Sequence, residues 1–176
     1  MWRYSVDSLK PLIRHIPDYP KPGILFYDIT TLLSDAKGLH AAIDCLVNPY
    51  RNDTVDCVIG IESRGFIFGT AVADRLGLGF IPVRKAGKLP STTVSVDYEL
   101  EYGTDSLEMH DDAIRKGQHV LIVDDLLATG GTAKAVVDLV VGIGANVHGL
   151  AFLIELEELK GRSKLMGQQV FSVMRY

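Results

Sequence analysis

The sequence predicts an α/β fold with a central, mostly parallel sheet flanked by helices, and three observations carry that expectation. Short, β-branched apolar runs recur at 55–61, 79–83, 119–123 and 147–154. Helix-compatible segments lie between them. The whole pattern fits into 176 residues, the length of one compact domain. Runs of this kind are too short for a full helix but long enough for strands buried on both faces, as the middle of a parallel sheet requires.

In chain order, the stretch 16–28 comes first, and Pro17, Pro20, Pro22 and Gly23 stiffen it and deny it a helix. Residues 38–47 predict a helix, 55–61 a buried strand, 64–76 a second helix and 79–83 a second strand. The rhythm then breaks over 85–103, a long polar stretch with Gly87 and Pro90. Its β-formers, Thr92, Thr93, Val94, Ser95 and Val96, suggest a hairpin-like arm. Connections this long are commonly functional lids or disordered segments. Strand 119–123 leads into a helix over 132–143, with Gly144 placed to cap it, and strand 147–154 follows. Strands alternating with helices imply βαβ units with right-handed crossovers.

Composition narrows the function. With 47% hydrophobic and 23% charged residues the chain has no reason to be disordered. A formal charge of −4 argues against a nucleic-acid partner and requires any phosphate chemistry to use basic residues gathered locally. Cys45 and Cys57 lack CxxC spacing and read as buried free thiols suited to a reducing cytosol. His15, His40, His110, His119 and His148 form no HxH or HExxH pair, so a zinc hydrolase is not supported. Neither a signal-peptide core nor a run of about 18 apolar residues is present. A cytoplasmic protein without a membrane partner is expected.

Residues 120–132 are the most informative stretch: a buried strand, the carboxylates Asp124 and Asp125, a small-residue turn and a helix start. Ala128, Gly130 and Gly131 let backbone N–H groups approach an anion. Thr129 and Thr132 add hydroxyls, and the helix adds its positive end. Gly131-Thr132 is followed by Ala133-Lys134, not by the Gly-Lys-Ser/Thr of a nucleotide P-loop, so an ATPase reading is weak. Two carboxylates beside a phosphate cradle would repel the phosphate unless they address something else, and ribose hydroxyls are the natural object. A pentose 5-phosphate satisfies both halves.

Two basic clusters stand after other strands. Ser63 and Arg64 precede a helix whose N-terminus disfavours a cation unless an anion binds nearby. Arg84, Lys85 and Lys88 crowd three cations into five residues. Arg64 reads as a ligand, the second cluster alone could be a solvated loop, and together they suit a diphosphate leaving group. The acidic residues Glu99, Glu101 and Asp105 in the long arm are, on spacing alone, equal candidates for proton transfer.

The run Val-Asp-Asp-Leu-Leu-Ala-Thr-Gly-Gly-Thr at 123–132 resembles the signature by which type I phosphoribosyltransferases bind 5-phosphoribosyl-1-pyrophosphate (PRPP), in the form of their adenine-specific branch. Ser-Arg-Gly-Phe at 63–66, Arg-Lys-Ala-Gly-Lys-Leu-Pro at 84–90, Leu-Glu-Tyr-Gly at 100–103 and the proline-rich 17–28 resemble further elements of that branch, so the likeness covers nearly the whole chain, 16–171. It implies the type I phosphoribosyltransferase fold as one domain over 1–176, with an N-terminal hood at about 16–30 and a flexible β-arm lid at about 85–105. The implied reaction is adenine plus PRPP to AMP plus pyrophosphate, a step of purine salvage.

The resemblance also implies roles. Asp124 and Asp125 hold the ribose hydroxyls. Ala128, Thr129, Gly130, Gly131 and Thr132 take the 5′-phosphate, and Ser63, Arg64, Arg84, Lys85 and Lys88 take the pyrophosphate. The backbone at Leu25 and Tyr27 reads adenine, Phe26 and Leu126 sandwich its ring, and Glu101 is the general acid/base. Mg²⁺ is implied as a companion of PRPP, not as a metal caged by protein, and a homodimer with shared active sites is implied as the assembly. Tyr27 departs from the family, which usually has arginine there. Other readings are transfer to xanthine, hypoxanthine, guanine or orotate, and a PRPP-sensing regulator. The hood and Leu-Glu-Tyr-Gly elements disfavour the former, and the negative charge disfavours the latter.

Overall fold

A computed structural model describes residues 8–99 and 104–176. Its centre is a seven-stranded sheet in the order β5-β6-β4-β3-β7-β8-β9. The four predicted strands are β3 (Cys57–Ile61), β4 (Gly79–Lys85), β7 (His119–Leu127) and β8 (Asn146–Glu155). They pair in parallel, as does β9 (Val170–Arg175) on β8. The predicted arm is real but longer than 85–105. β5 (Thr93–Glu99) and β6 (Thr104–His110) form an antiparallel hairpin, and β6 joins the main sheet against the end of β4.

The sheet divides two cores by the two-residue period of its strands. Val58, Leu121 and Val123 face the first core, which α2 (Ala36–Val47) and α3 (Gly65–Leu76) cover with Ala41, Leu46, Phe68 and Val72. Ile59, Ile61, Val120 and Ile122 face the second, which α4 (Gly131–Gly142) covers with Val136 and Val140. β3 is buried at every position, which is why it reads as an unbroken apolar run. The helix limits fall within two residues of the sequence expectation. α2 starts at Ala36 because Asp35 caps it, accepting a 2.6 Å bond from Gly38 N. α4 ends before Gly144, whose φ of 85° carries the chain out of the helix.

The proline-rich stretch forms no helix, as expected. β1 (Arg14–Ile16) and β2 (Phe26–Asp28) pair antiparallel across it as a separate two-stranded sheet. Asp28 then accepts bonds from Thr30 N (2.9 Å) and Thr30 Oγ1 (2.8 Å), which order the start of α1 (Thr30–Ser34). Cys57 is buried, and burial pushes its thiol up to about 11; Cys45, expected to be buried, is only half-buried. No helix among the described residues is long and apolar enough to cross a membrane.

Candidate active site

Parallel pairing brings the carboxyl ends of β3, β4, β7 and β8 to one edge, where open α/β sheets hold their ligands. The carboxyl ends of β3, β4 and β7, with the turns that follow them, carry the cations, carboxylates and small residues singled out at those positions in the sequence.

β7 runs through Asp124 and Asp125 to Leu127, so both carboxylates sit at the carboxyl end of the strand, before the loop, as expected. Alternation turns them to opposite sides. Asp125 is 5% exposed, and its Oδ2 lies 2.8 Å from Arg64 Nη2 but takes no well-formed hydrogen bond among the described residues. Asp124 Oδ1 accepts from Asp125 N at 2.8 Å. Burial pushes both carboxyls upward. The neighbouring Asp125 charge drives Asp124 further up, and the Arg64 guanidinium opposes the shift on Asp125. Asp125 Oδ2 is thus a buried acceptor able to take a further donor. Gly65 makes the geometry possible, since a Cβ there would come within 2.5 Å of Asp124 Oδ1.

Residues 128–130 turn the chain from β7 into α4. Gly130, at φ 79°, is the N-cap and supplies no side-chain hydrogen bond, so the first N–H groups of α4 are left for an anion. A small cavity of about 80 Å³ lies there, lined by Asp124 and residues 126–133. Gly130 also abuts the Gly161 carbonyl, and Gly161 abuts Ala128, so the turn is fixed from behind by main chain.

Arg64 is the N-cap of α3, where a cation is unfavourable; the anion nearest to hand is Asp125. Ser63 is exposed beside it, after a cis peptide at Glu62-Ser63. The other cations are also held by carboxylates. Glu62, with a side chain 10% exposed, accepts from Lys88 Nζ at 2.6 Å, Lys85 N at 3.0 Å and Arg84 Nε at 3.4 Å. Burial works against its ionisation, but these bonds hold its carboxyl below the usual range. Lys85 Nζ pairs with Asp105 at 3.0 Å, and Tyr98 Oη donates to the same carboxylate at 3.4 Å. Asp105 therefore anchors the arm, which leaves it a weak candidate for proton transfer.

Sequence reasoning missed Glu62 and Tyr98. Glu62 carried a signal: an acidic residue immediately after a buried strand and before Ser-Arg. Tyr98 carried none. Phe26, on β2, has Arg64 Cζ 5.3 Å from its ring centroid and Tyr19 edge-on at 5.1 Å, which sets the hood over the Arg64 end of the site. Leu25 is exposed, and Leu126 is only partly buried against the first core. Glu101 falls between β5 and β6, outside the described residues.

The phosphoribosyl transferase domain profile matches residues 29–171. A curated relative from Solibacter usitatus, adenine phosphoribosyltransferase, is 61% identical over 171 residues, which are 97% of this chain and 99% of the relative. The crystal structure of adenine phosphoribosyltransferase from Thermoanaerobacter pseudethanolicus superposes with a TM-score of 0.95 at 50% identity, covering 98% of this chain and 100% of that one. The Saccharomyces cerevisiae adenine phosphoribosyltransferase, crystallised with adenine and an imino-altritol bisphosphate, gives 0.90 at 41% identity, over 96% of this chain and 97% of that one.

Proposed function

Because the chain belongs to the phosphoribosyl transferase domain family, we propose that it is the enzyme that joins adenine to PRPP, giving AMP and pyrophosphate in purine salvage. It has the type I phosphoribosyltransferase fold, and the whole sequence, 1–176, acts as one such domain. The observation that carries this reading is the juxtaposition on one sheet edge of the open α4 N-terminus, the adjacent carboxylates Asp124 and Asp125, of which Asp125 Oδ2 takes no hydrogen bond among the described residues, and Arg64. Full-length relatives named for adenine supply the base.

The 5′-phosphate takes the backbone N–H groups of 128–132 and the hydroxyls of Thr129 and Thr132. The ribose hydroxyls donate to Asp124 and Asp125 and replace the solvation that burial has stripped from them. The diphosphate draws Ser63, Arg64, Arg84, Lys85 and Lys88 toward it, and Glu62 and Asp105 keep Arg84, Lys85 and Lys88 ordered before it arrives. Attack by adenine N9 at C1′ forms the glycosidic bond as the C1′–pyrophosphate bond breaks, and the cations take up the developing charge. Glu101 accepts the N9 proton. Phe26 and Leu126 sandwich the purine, while the backbone at Leu25 and Tyr27 reads its donor and acceptor pattern. The hood and arm exclude water from the activated sugar.

Mg²⁺ would accompany PRPP, held mainly through the substrate's phosphate oxygens, and would supply charge to the diphosphate; Asp124 and Asp125 would be the carboxylates available to it. Assembly is a homodimer in which the arm reaches the neighbouring subunit. The test is AMP formation by purified protein with PRPP and Mg²⁺, offering adenine, hypoxanthine, guanine and xanthine in parallel. AMP from adenine alone is expected. Turnover of another base would overturn the specificity, and PRPP binding without turnover of any base would leave a sensor.

A further inference from the structure

We propose that Tyr176 is a positioning residue for base recognition, holding the hood in register through Tyr27; this rests on the functional reading above. The two faces of β2 meet different partners, as its two-residue period requires. Phe26 faces Arg64, while the Tyr27 ring packs on Tyr176, with centroids 4.5 Å apart and planes at 46°. His15, the register partner of Tyr27 on β1, completes a three-ring cluster, edge-on to Tyr27 at 5.1 Å and to Tyr176 at 5.6 Å. Lys10 Nζ stands 5.2 Å from the Tyr176 ring centroid.

Tyr176 is itself fixed to the main sheet. Its N–H donates to Glu155 O at 3.0 Å, and its carbonyl accepts from Glu157 N at 2.8 Å. The hood contrasts with this: two three-residue strands, a size that is marginal alone in water. Backbone groups that discriminate a base must be held to within about 0.5 Å. The aromatic cluster ties the hood strands to the end of β8 and β9, so it sets where the carbonyl and N–H groups of residues 25–27 stand. An aromatic residue at position 27 fits because its neighbour is aromatic, and the side chain is turned away from the Phe26 face.

The ring and not the hydroxyl carries the role, since the Tyr176 hydroxyl is buried without a hydrogen-bond partner among the described residues. Steady-state kinetics of Tyr176→Ala, Tyr176→Phe, Tyr27→Ala and the double Ala variant test this. Tyr176→Ala is expected to raise the adenine KM roughly three- to tenfold, as loss of one or two aromatic contacts implies. The PRPP KM and kcat should stay within about twofold, because the phosphate loop and cations stand on other elements. Tyr176→Phe should restore the parent adenine KM, and the double variant should be no worse than the poorer single one. An unchanged adenine KM in Tyr176→Ala, both KM values rising together, or failure of Phe to rescue would each overturn the proposal. Tyr176→Leu keeps it testable if Tyr176→Ala does not fold, because it also removes the ring contact with Tyr27 and the same split between adenine and PRPP is required of it. Parent protein that makes no AMP would sink the functional reading and this inference with it; parent activity with a flat adenine KM would sink the inference alone.

Discussion

The two halves of the site are built on different principles. At the β7–α4 end the proposed anion cradle is main chain: a left-handed Gly130, uncapped N–H groups, and Gly161 packed behind the turn, all against a core that includes fully buried Val136 and Val140. At the β4–arm end the groups are side chains at the surface, and Glu62 and Asp105 hold the cations in place. The first half is fixed by folding itself and tolerates almost no change. The second is set by ion pairs that water and salt can loosen.

The hardest blow to this contrast falls on the rigid half. Gly130→Ala places a Cβ against the Gly161 carbonyl and forces a residue with a side chain to φ 79°. A loss of about a hundredfold or more in kcat/KM for PRPP is expected from the displaced cradle, and ordinary PRPP kinetics in a folded Gly130→Ala protein would break the comparison. In the arm, Glu101→Gln is expected to lower kcat by about a hundredfold, the scale of general-base assistance. PRPP affinity, read by titration, should be nearly unchanged; weak PRPP binding with full turnover would contradict the assignment.

A third prediction concerns stability. Glu155 is 4% exposed and accepts from Arg162 Nη2 at 2.7 Å and Ser172 Oγ at 2.6 Å. Burial pushes its carboxyl up, but these bonds prevail and hold it below the usual range. A depressed folded pKa gives stability that is present above the unfolded value of about 4.3 and lost as pH falls through the folded one. Arg162→Ala is expected to cost about 2 kcal/mol at pH 7. That lies below the range for breaking a fully buried pair, because Arg162 is one-third exposed. Urea melts across pH 3 to 7 should show the acid-side loss in the parent and little of it in the variant. The smallest effect belongs to the soft half. Lys88→Ala should raise the PRPP KM about tenfold at low salt and less at high salt, as screening of an exposed cation predicts; a salt-independent change would place Lys88 with the rigid groups.

Much of the rigid half was legible in the sequence. Strand 119–123, the paired aspartates and the Gly-Gly turn are local, and each residue type has one physical use there. Even so, the apolar run 119–123 stops four residues short of β7, because the apolar pattern breaks at the two aspartates while pairing with β8 continues to Leu127. The soft half was legible only as charge. Arg84, Lys85 and Lys88 were found, but their partners Glu62 and Asp105 lie about twenty residues away, at distances no periodicity encodes. Strand β6 was missed because Thr104–His110 is polar and only Leu107 and Met109 face the core. Strand β9 has the same explanation in a different form: only three of its six residues are buried, and Gly167, which turns the chain just before it, is a weak signal by itself.

The strand order has a consequence for how the molecule comes into being. β3 pairs on one side with β4, its neighbour in the chain, and on the other with β7, which begins 58 residues after β3 ends (61 to 119). Until that distant partner arrives, one edge of a wholly apolar strand has no backbone to bond with, an arrangement prone to pairing with other chains. Closing that edge is also the event that sets Asp125 against Arg64. A nascent or refolding chain is therefore expected to lose its stickiness and gain its ribose site in a single step, so that the onset of ligand binding during refolding should coincide with the end of its tendency to aggregate.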